Sequence, residues 1–230
     1  FMLDRAGVVP GDGETHQGLF DIALLRPVPQ LRILCPATAE DLKRCLSFAV
    51  ESDGATVIRY PKLTCPSEQD SFSSPIEEGR GVIVSASDIT PLQEAYFEEK
   101  KAGTFSRMLF VCTGGMYAET LVACRSLLMK GIYADIYALR FIKPIDEEYF
   151  VHTASSYDGA VIVEDGVLTG GIASYLEAVL VKRDIRNVAV KAFADRFYPQ
   201  GTRSEICRDA HMSSEDIAAA ALHLVESRNA

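Results

Sequence analysis

The chain has 230 residues, enough for one or two domains with real cores, and its 48% hydrophobic and 24% charged residues are ordinary globular usage. A formal net charge of −9 argues against nucleic acid or an anionic membrane as a partner. No apolar run approaches the roughly 20 residues that a membrane span needs, and the first residues lack the basic-then-apolar layout of a signal peptide.

Phe1-Met2-Leu3 is apolar and reads as the end of a buried strand. Directly beyond it come Asp4-Arg5-Ala6-Gly7 and then Gly11-Asp12-Gly13-Glu14-Thr15-His16-Gln17-Gly18. In parallel α/β sheets, ligands bind outside the carboxyl ends of the strands. The glycines let this loop take positive φ angles and bring its backbone close to a ligand. Arg5 offers a planar fork of donors suited to a phosphate or carboxylate. The His16 imidazole is a proton carrier, and Asp12 can orient a hydroxyl. The set suits a polar, anionic small substrate with hydroxyl groups. Composition alone equally describes a plain surface turn, and no zinc spacing makes His16 a metal ligand.

Leu31 to Cys35 reads as the next strand. Thr38 then caps a helix, with Asp41 three residues on, and Leu42, Cys45, Leu46, Ala49 and Val50 fall on one helical face. Ala55 to Tyr60 is another short strand, which puts Arg59 at a strand's carboxyl end. Residues 61–80, with Pro61, Pro66, Pro75 and a run of serines, read as an interdomain linker. Residues 81–230 read as a second α/β unit. Its strands are expected at 81–85, 107–112, 132–139, 159–164 and 187–192. Its helices are expected at 116–130, 146–155, 171–183, 203–208 and 214–227, the last opened by a capping-box-like Ser213 and Asp216. Residues 86–106, rich in Glu and Lys, read as a solvated insertion. The cysteines at 35, 45, 65, 112, 124 and 207 form no Cys-x-x-Cys pair and mostly sit in apolar patterns. They read as reduced thiols in a reducing compartment, without disulfide or metal.

Asp-Gly-x-Thr-His-Gln after a strand resembles the pyrimidine-binding domain of transketolase-like, thiamine-diphosphate-dependent enzymes. Asp4-Arg5-Ala6-Gly7, with His-Gln-Gly at 16–18, resembles more narrowly the 1-deoxy-D-xylulose-5-phosphate synthases. Matches follow in order at Arg59-Tyr60-Pro61, Leu139 to Asp146, Val163-Glu164-Asp165 with Gly170-Gly171, and Tyr198 to Thr202. Lys62 departs from the pattern, which usually repeats an Arg there.

The resemblance implies an α/β fold. Residues 1–60 would form the C-terminal part of a pyrimidine-binding domain with an incomplete parallel sheet, 61–80 a linker, and 81–230 a transketolase C-terminal-type domain. It implies condensation of pyruvate with glyceraldehyde 3-phosphate on thiamine diphosphate and Mg2+, in a cytoplasmic homodimer. Arg5 and Arg59 match its phosphate-clamp positions, Asp12 an acceptor-hydroxyl position, and His16 a position lining the reacting carbons. Glu164, Asp165, Arg140 and Lys143 are expected to serve packing or an interface. The cofactor-activating glutamate and the Gly-Asp-Gly…Asn magnesium motif do not occur here. The chain is therefore expected to be a fragment that holds no cofactor and does not turn over alone. Other readings are transketolase itself, a 2-oxoacid dehydrogenase beta subunit, or a noncatalytic interaction module.

Overall fold

Side-chain alternation along the strands builds two sheets that share one apolar layer. The computed structural model describes residues 1–89 and 106–229. The first sheet has the order β1 (Met2–Leu3), β3 (Thr56–Arg59), β2 (Arg32–Leu34), β7 (Phe141–Lys143). The second has the order β4 (Val82–Val84), β6 (Ile132–Ala138), β5 (Ser106–Cys112), β8 (Gly159–Val167), β9 (Val188–Phe193). All pairs are parallel except β2 with β7 and β4 with β6. The α/β expectation and the strands read from sequence in the second unit are met to within a few residues.

Successive residues of a strand face opposite sides. Leu109 and Val111 of β5, Ala160 and Ile162 of β8, Ile33 of β2 with Cys35 just beyond it, and Val57 of β3 therefore meet in one cluster between the sheets. Their neighbours point the other way. Met108, Phe110 and Cys112 join the core under α4 (Tyr117–Leu128) and α8 (Ser214–Asn229), while Leu34 and Ile58 join Cys45 of α2 (Ala39–Glu51). The remaining helices are α1 (Asp21–Leu25), α3 (Ala86–Ile89), α5 (Glu147–Ala154), α6 (Ile172–Val181) and α7 (Arg203–Asp209). The Thr38 cap forms, its Oγ1 accepting from the Asp41 amide at 3.2 Å. Ser213 and Asp216 exchange the bonds expected of them at the start of α8.

Two expectations need correcting. The first sheet is not built from the first unit alone. After β6 the chain crosses at Leu139-Arg140 and lays β7 antiparallel on β2, because Phe141 and Ile142 supply the alternation that both faces of that sheet need. Residues 61–80 are also not a free linker. They carry a 3-10 turn, Asp70–Ser73, whose Phe72 is fully buried and packs edge-on against Tyr117 at 5.2 Å. Arg140 locks this crossing in place. Buried itself, it donates to Asp41 Oδ1 at 2.6 Å and to the carbonyls of Phe72, Ser74 and Pro75. Lys143 donates to the Arg26 and Val28 carbonyls. Of the 86–106 insertion, 86–89 form α3, and residues 90–105 lie outside the described residues. Five of the cysteines are buried and Cys65 is exposed.

Arg140→Ala removes the partner of a buried carboxylate and several carbonyl contacts at once. It is expected to lower stability by about 3–5 kcal/mol, read by urea unfolding; a loss under about 1 kcal/mol, the surface-pair range, would refute the locking role.

Glu164 supports a second prediction. Burial pushes its carboxyl up from 4.5 to about 7, although the Ala173 and Ile172 amides that open α6 favour the charged form. The native state thus keeps a proton that the unfolded chain releases. The stability tied to this group is present below pH 4.5 and is lost as pH rises through about 7. Glu164→Gln keeps an acceptor for the Ala173 amide and removes the titration. The variant should gain stability relative to the parent between about pH 4 and pH 8. A stability difference independent of pH would count against it.

Candidate active site

The loop between β1 and α1 carries the chemistry-bearing residues, and its backbone is tied tightly at both ends. Arg5 sits just past β1 at φ 60°, the left-handed region that residues other than glycine rarely adopt. Its carbonyl accepts from the Gly18 amide at 2.9 Å, the Gly7 amide donates to the Gly18 carbonyl at 2.9 Å, and the Ala6 amide donates to the Tyr60 carbonyl at 3.0 Å. Residue 18 must be glycine, since a Cβ there would stand 2.4 Å from the Arg5 carbonyl oxygen. The start and end of the loop are thereby pinned against each other and against the end of β3.

This pinning presents Arg5 and Asp12 to one another. Arg5 Nε donates to Asp12 Oδ2 at 3.0 Å, and Arg5 Nη1 donates to Asp4 Oδ2 at 2.8 Å. Lys62, just beyond β3, reaches the same Asp12 from the other side at 3.1 Å and 3.4 Å. The Arg5 hydrogen bond, followed by that of Lys62, holds the Asp12 carboxyl below the usual carboxylate range. Both cations remain open to solvent, with side-chain exposures of 36% for Arg5 and 54% for Lys62. A dianion that displaces Asp12 would meet two positive charges already brought to one place.

His16 ends a short 3-10 turn, Glu14–His16, four positions after Asp12. Its imidazole is exposed, with Nδ1 3.4 Å from Thr15 Oγ1. Gln17, the next residue, is buried at 8% exposure, and neither its Oε1 nor its Nε2 has a hydrogen-bond partner among the described residues. Buried amides are rarely left unpaired, and Gln17 is a buried polar side chain of this loop in that state among the described residues.

Arg59 takes a place different from the one expected of it. It is 1% exposed, and every N–H of its guanidinium faces a protein group. Nε and Nη2 donate to Asp21 at 3.0 and 3.2 Å, Nη1 to Asp165 Oδ1 at 2.5 Å and to Cys35 Sγ at 3.6 Å, and Nη2 also to the Gly18 carbonyl at 3.2 Å. Burial opposes its charge, yet Asp165 and Asp21 hold Arg59 firmly protonated. No donor is left for a substrate phosphate. The structure thus pairs Arg5 with Lys62 rather than with Arg59. The last residues of β3 explain why: Arg59 is the final residue of the strand and points inward, whereas Lys62 lies past Tyr60-Pro61 and clears the sheet. The sequence signal for Lys62 was its substitution of a basic residue for a basic residue in the Arg-Tyr-Pro segment.

Comparison with known proteins agrees with this architecture. The family model for the transketolase pyrimidine-binding domain matches residues 1–68, and that for the transketolase C-terminal domain matches residues 97–217. The chain is 46% identical over 222 residues to the 1-deoxy-D-xylulose-5-phosphate synthase of Treponema pallidum (strain Nichols), covering 96% of this chain and 33% of that protein. It is 30% identical over 232 residues to the enzyme of the same name from Halothermothrix orenii, covering 99% of this chain and 34% of that protein. The chain thus spans about a third of the length of the curated relatives it matches. Among solved structures, a split-gene transketolase described as an inactive beta4 tetramer superposes with a TM-score of 0.78 at 23% identity, over 98% of this chain and 66% of that one. A transketolase mutant from Pichia stipitis gives a TM-score of 0.67 at 19% identity, over 96% of this chain and 29% of that one. With both of its units matched in order and the loop of Arg5, Asp12 and His16 lying within the first, the chain belongs to the transketolase family.

Proposed function

We propose that this chain carries the acceptor-binding part of a thiamine-diphosphate enzyme that condenses pyruvate with glyceraldehyde 3-phosphate, releasing CO2 and forming 1-deoxy-D-xylulose 5-phosphate. The observation that carries the proposal is the convergence of Arg5 and Lys62 on Asp12 at the carboxyl ends of β1 and β3. The names of its relatives and their 46% and 30% identities support the same reaction.

The acceptor has a phosphate, a hydroxyl and an aldehyde. Arg5 and Lys62 clamp the phosphate through charge-assisted hydrogen bonds. Asp12, released from one of its cations, accepts from the hydroxyl. His16 handles the proton at the aldehyde oxygen as the new carbon–carbon bond forms. Among the described residues no group of three or more His, Cys, Asp or Glu side chains converges as a metal site. Association into a homodimer belongs to the same proposal. Leu46 and Val50, at 46% and 78% exposure, leave apolar surface on α2.

Binding of glyceraldehyde 3-phosphate to the chain, followed by NMR titration, tests the clamp. Arg5→Ala and Lys62→Ala should each weaken it roughly tenfold or more, and pyruvate should show no matching dependence. Unchanged binding in both variants would sink the clamp. Joining the chain to the N-terminal two thirds of the Treponema pallidum synthase tests the reaction. Pyruvate-dependent turnover is expected; turnover of pentose phosphates without pyruvate would point to transketolase chemistry instead.

A further inference from the structure

We propose that the second unit positions the active-site loop of its own chain, with Asp165, Gln200 and Arg203 as positioning residues that act on the loop backbone. The motifs around residues 163–165 and 198–202 then have a purpose that the acceptor clamp alone does not give them.

The loop is gripped at its exit, its middle and its start. At the exit, Asp165 of β8 holds Arg59 Nη1, and Arg59 Nη2 holds the Gly18 carbonyl. The β8 backbone adds a direct bond, the Val167 amide donating to the Leu19 carbonyl at 2.9 Å. In the middle, Gln200 Nε2 donates to the Gly11 carbonyl at 2.8 Å, and the Gly11 amide donates to the Gly201 carbonyl at 3.3 Å. Arg203, anchored on Glu119 of α4 at 2.6 Å, donates to the Val8 carbonyl at 3.1 Å. Near the start, Gly7 lies against Asp165 so closely that a Cβ on it would stand 3.0 Å from the Asp165 Cβ.

These contacts end on backbone carbonyls and amides of the loop. The side chains of Arg5, Asp12 and His16 take no part in them. An arrangement that needs Arg5 at a positive φ and Asp12 within reach of both cations is costly to hold from one side. Held from the second unit, the loop keeps that geometry before any substrate arrives, which reduces the ordering that binding would otherwise require. Asp165 acts through Arg59, and Gln200 and Arg203 act through Gly11 and Val8; none of them touches the proposed acceptor.

Hydrogen exchange on the intact chain tests this directly. In Asp165→Asn, the Gly7 and Gly18 amides should exchange about tenfold faster or more, while the Leu109 to Val111 amides of β5 stay as protected as in the parent. In Gln200→Ala, an exposed position whose loss leaves the core intact, the same acceleration should appear at Gly11. Unchanged loop exchange in a folded Asp165→Asn protein overturns the proposal. If that variant does not fold, unchanged exchange at Gly11 in Gln200→Ala overturns it instead. A second readout rests on the acceptor-clamp reading: both variants should bind glyceraldehyde 3-phosphate more weakly than the parent. If the parent chain binds none, the clamp reading has failed, and loop exchange alone decides the positioning role.

Discussion

Arg59 keeps its charge where almost no water reaches it, and the relation between the two units depends on how that charge is matched. Desolvating a guanidinium costs several kcal/mol, which only excellent geometry repays. Here Asp21 comes from the helix after the loop, Asp165 from β8 of the second sheet, and the Gly18 carbonyl from the loop itself. The match exists only when all three segments sit in register. A displaced second unit would leave Arg59 or Asp165 buried without its partner, and both are essentially unexposed. The ion pair therefore excludes wrong arrangements more than it adds net stability.

The same logic explains why the chain does not divide cleanly into two bodies. β7 belongs to the second half of the sequence but completes the first sheet, and Arg140, just before it, ties α2 to the 61–80 crossing. Leu109, Val111, Ala160 and Ile162 share their apolar layer with Ile33, Cys35 and Val57. Separating the units would expose this layer and strand two buried arginines. The β1–α1 loop lies at the seam, where a rigid support is available from both sides.

Electrostatics at the loop follow from an overall acidic chain. At a net charge of −9, a site for a phosphate needs cations concentrated locally. Two of them, Arg5 and Lys62, are stored on a single carboxylate, Asp12, whose acidity they increase. Holding the cations on Asp12 keeps them from repelling each other across the loop.

Local patterns made much of this legible from the sequence. Short apolar runs at 107–112 and 159–164 located two inner strands of the second sheet, and Thr38 with Asp41 and Ser213 with Asp216 located helix starts, because caps and apolar runs are features of a few neighbouring residues. Asp12, His16 and Arg5 stood out because a glycine-rich loop after an apolar segment is a local feature too. The sequence by itself thus determined the fold class, the order of its elements and the loop that carries the candidate chemistry. Tertiary structure alone decided that Arg59 is an internal ion-pair partner while Lys62 reaches Asp12, that β7 crosses into the first sheet, and that Asp165 and Gln200 brace the loop. Each of these depends on which residues, 38 to 189 positions apart, the folded chain brings within hydrogen-bond distance. No local periodicity encodes that, because it is set by the packing of one sheet on the other.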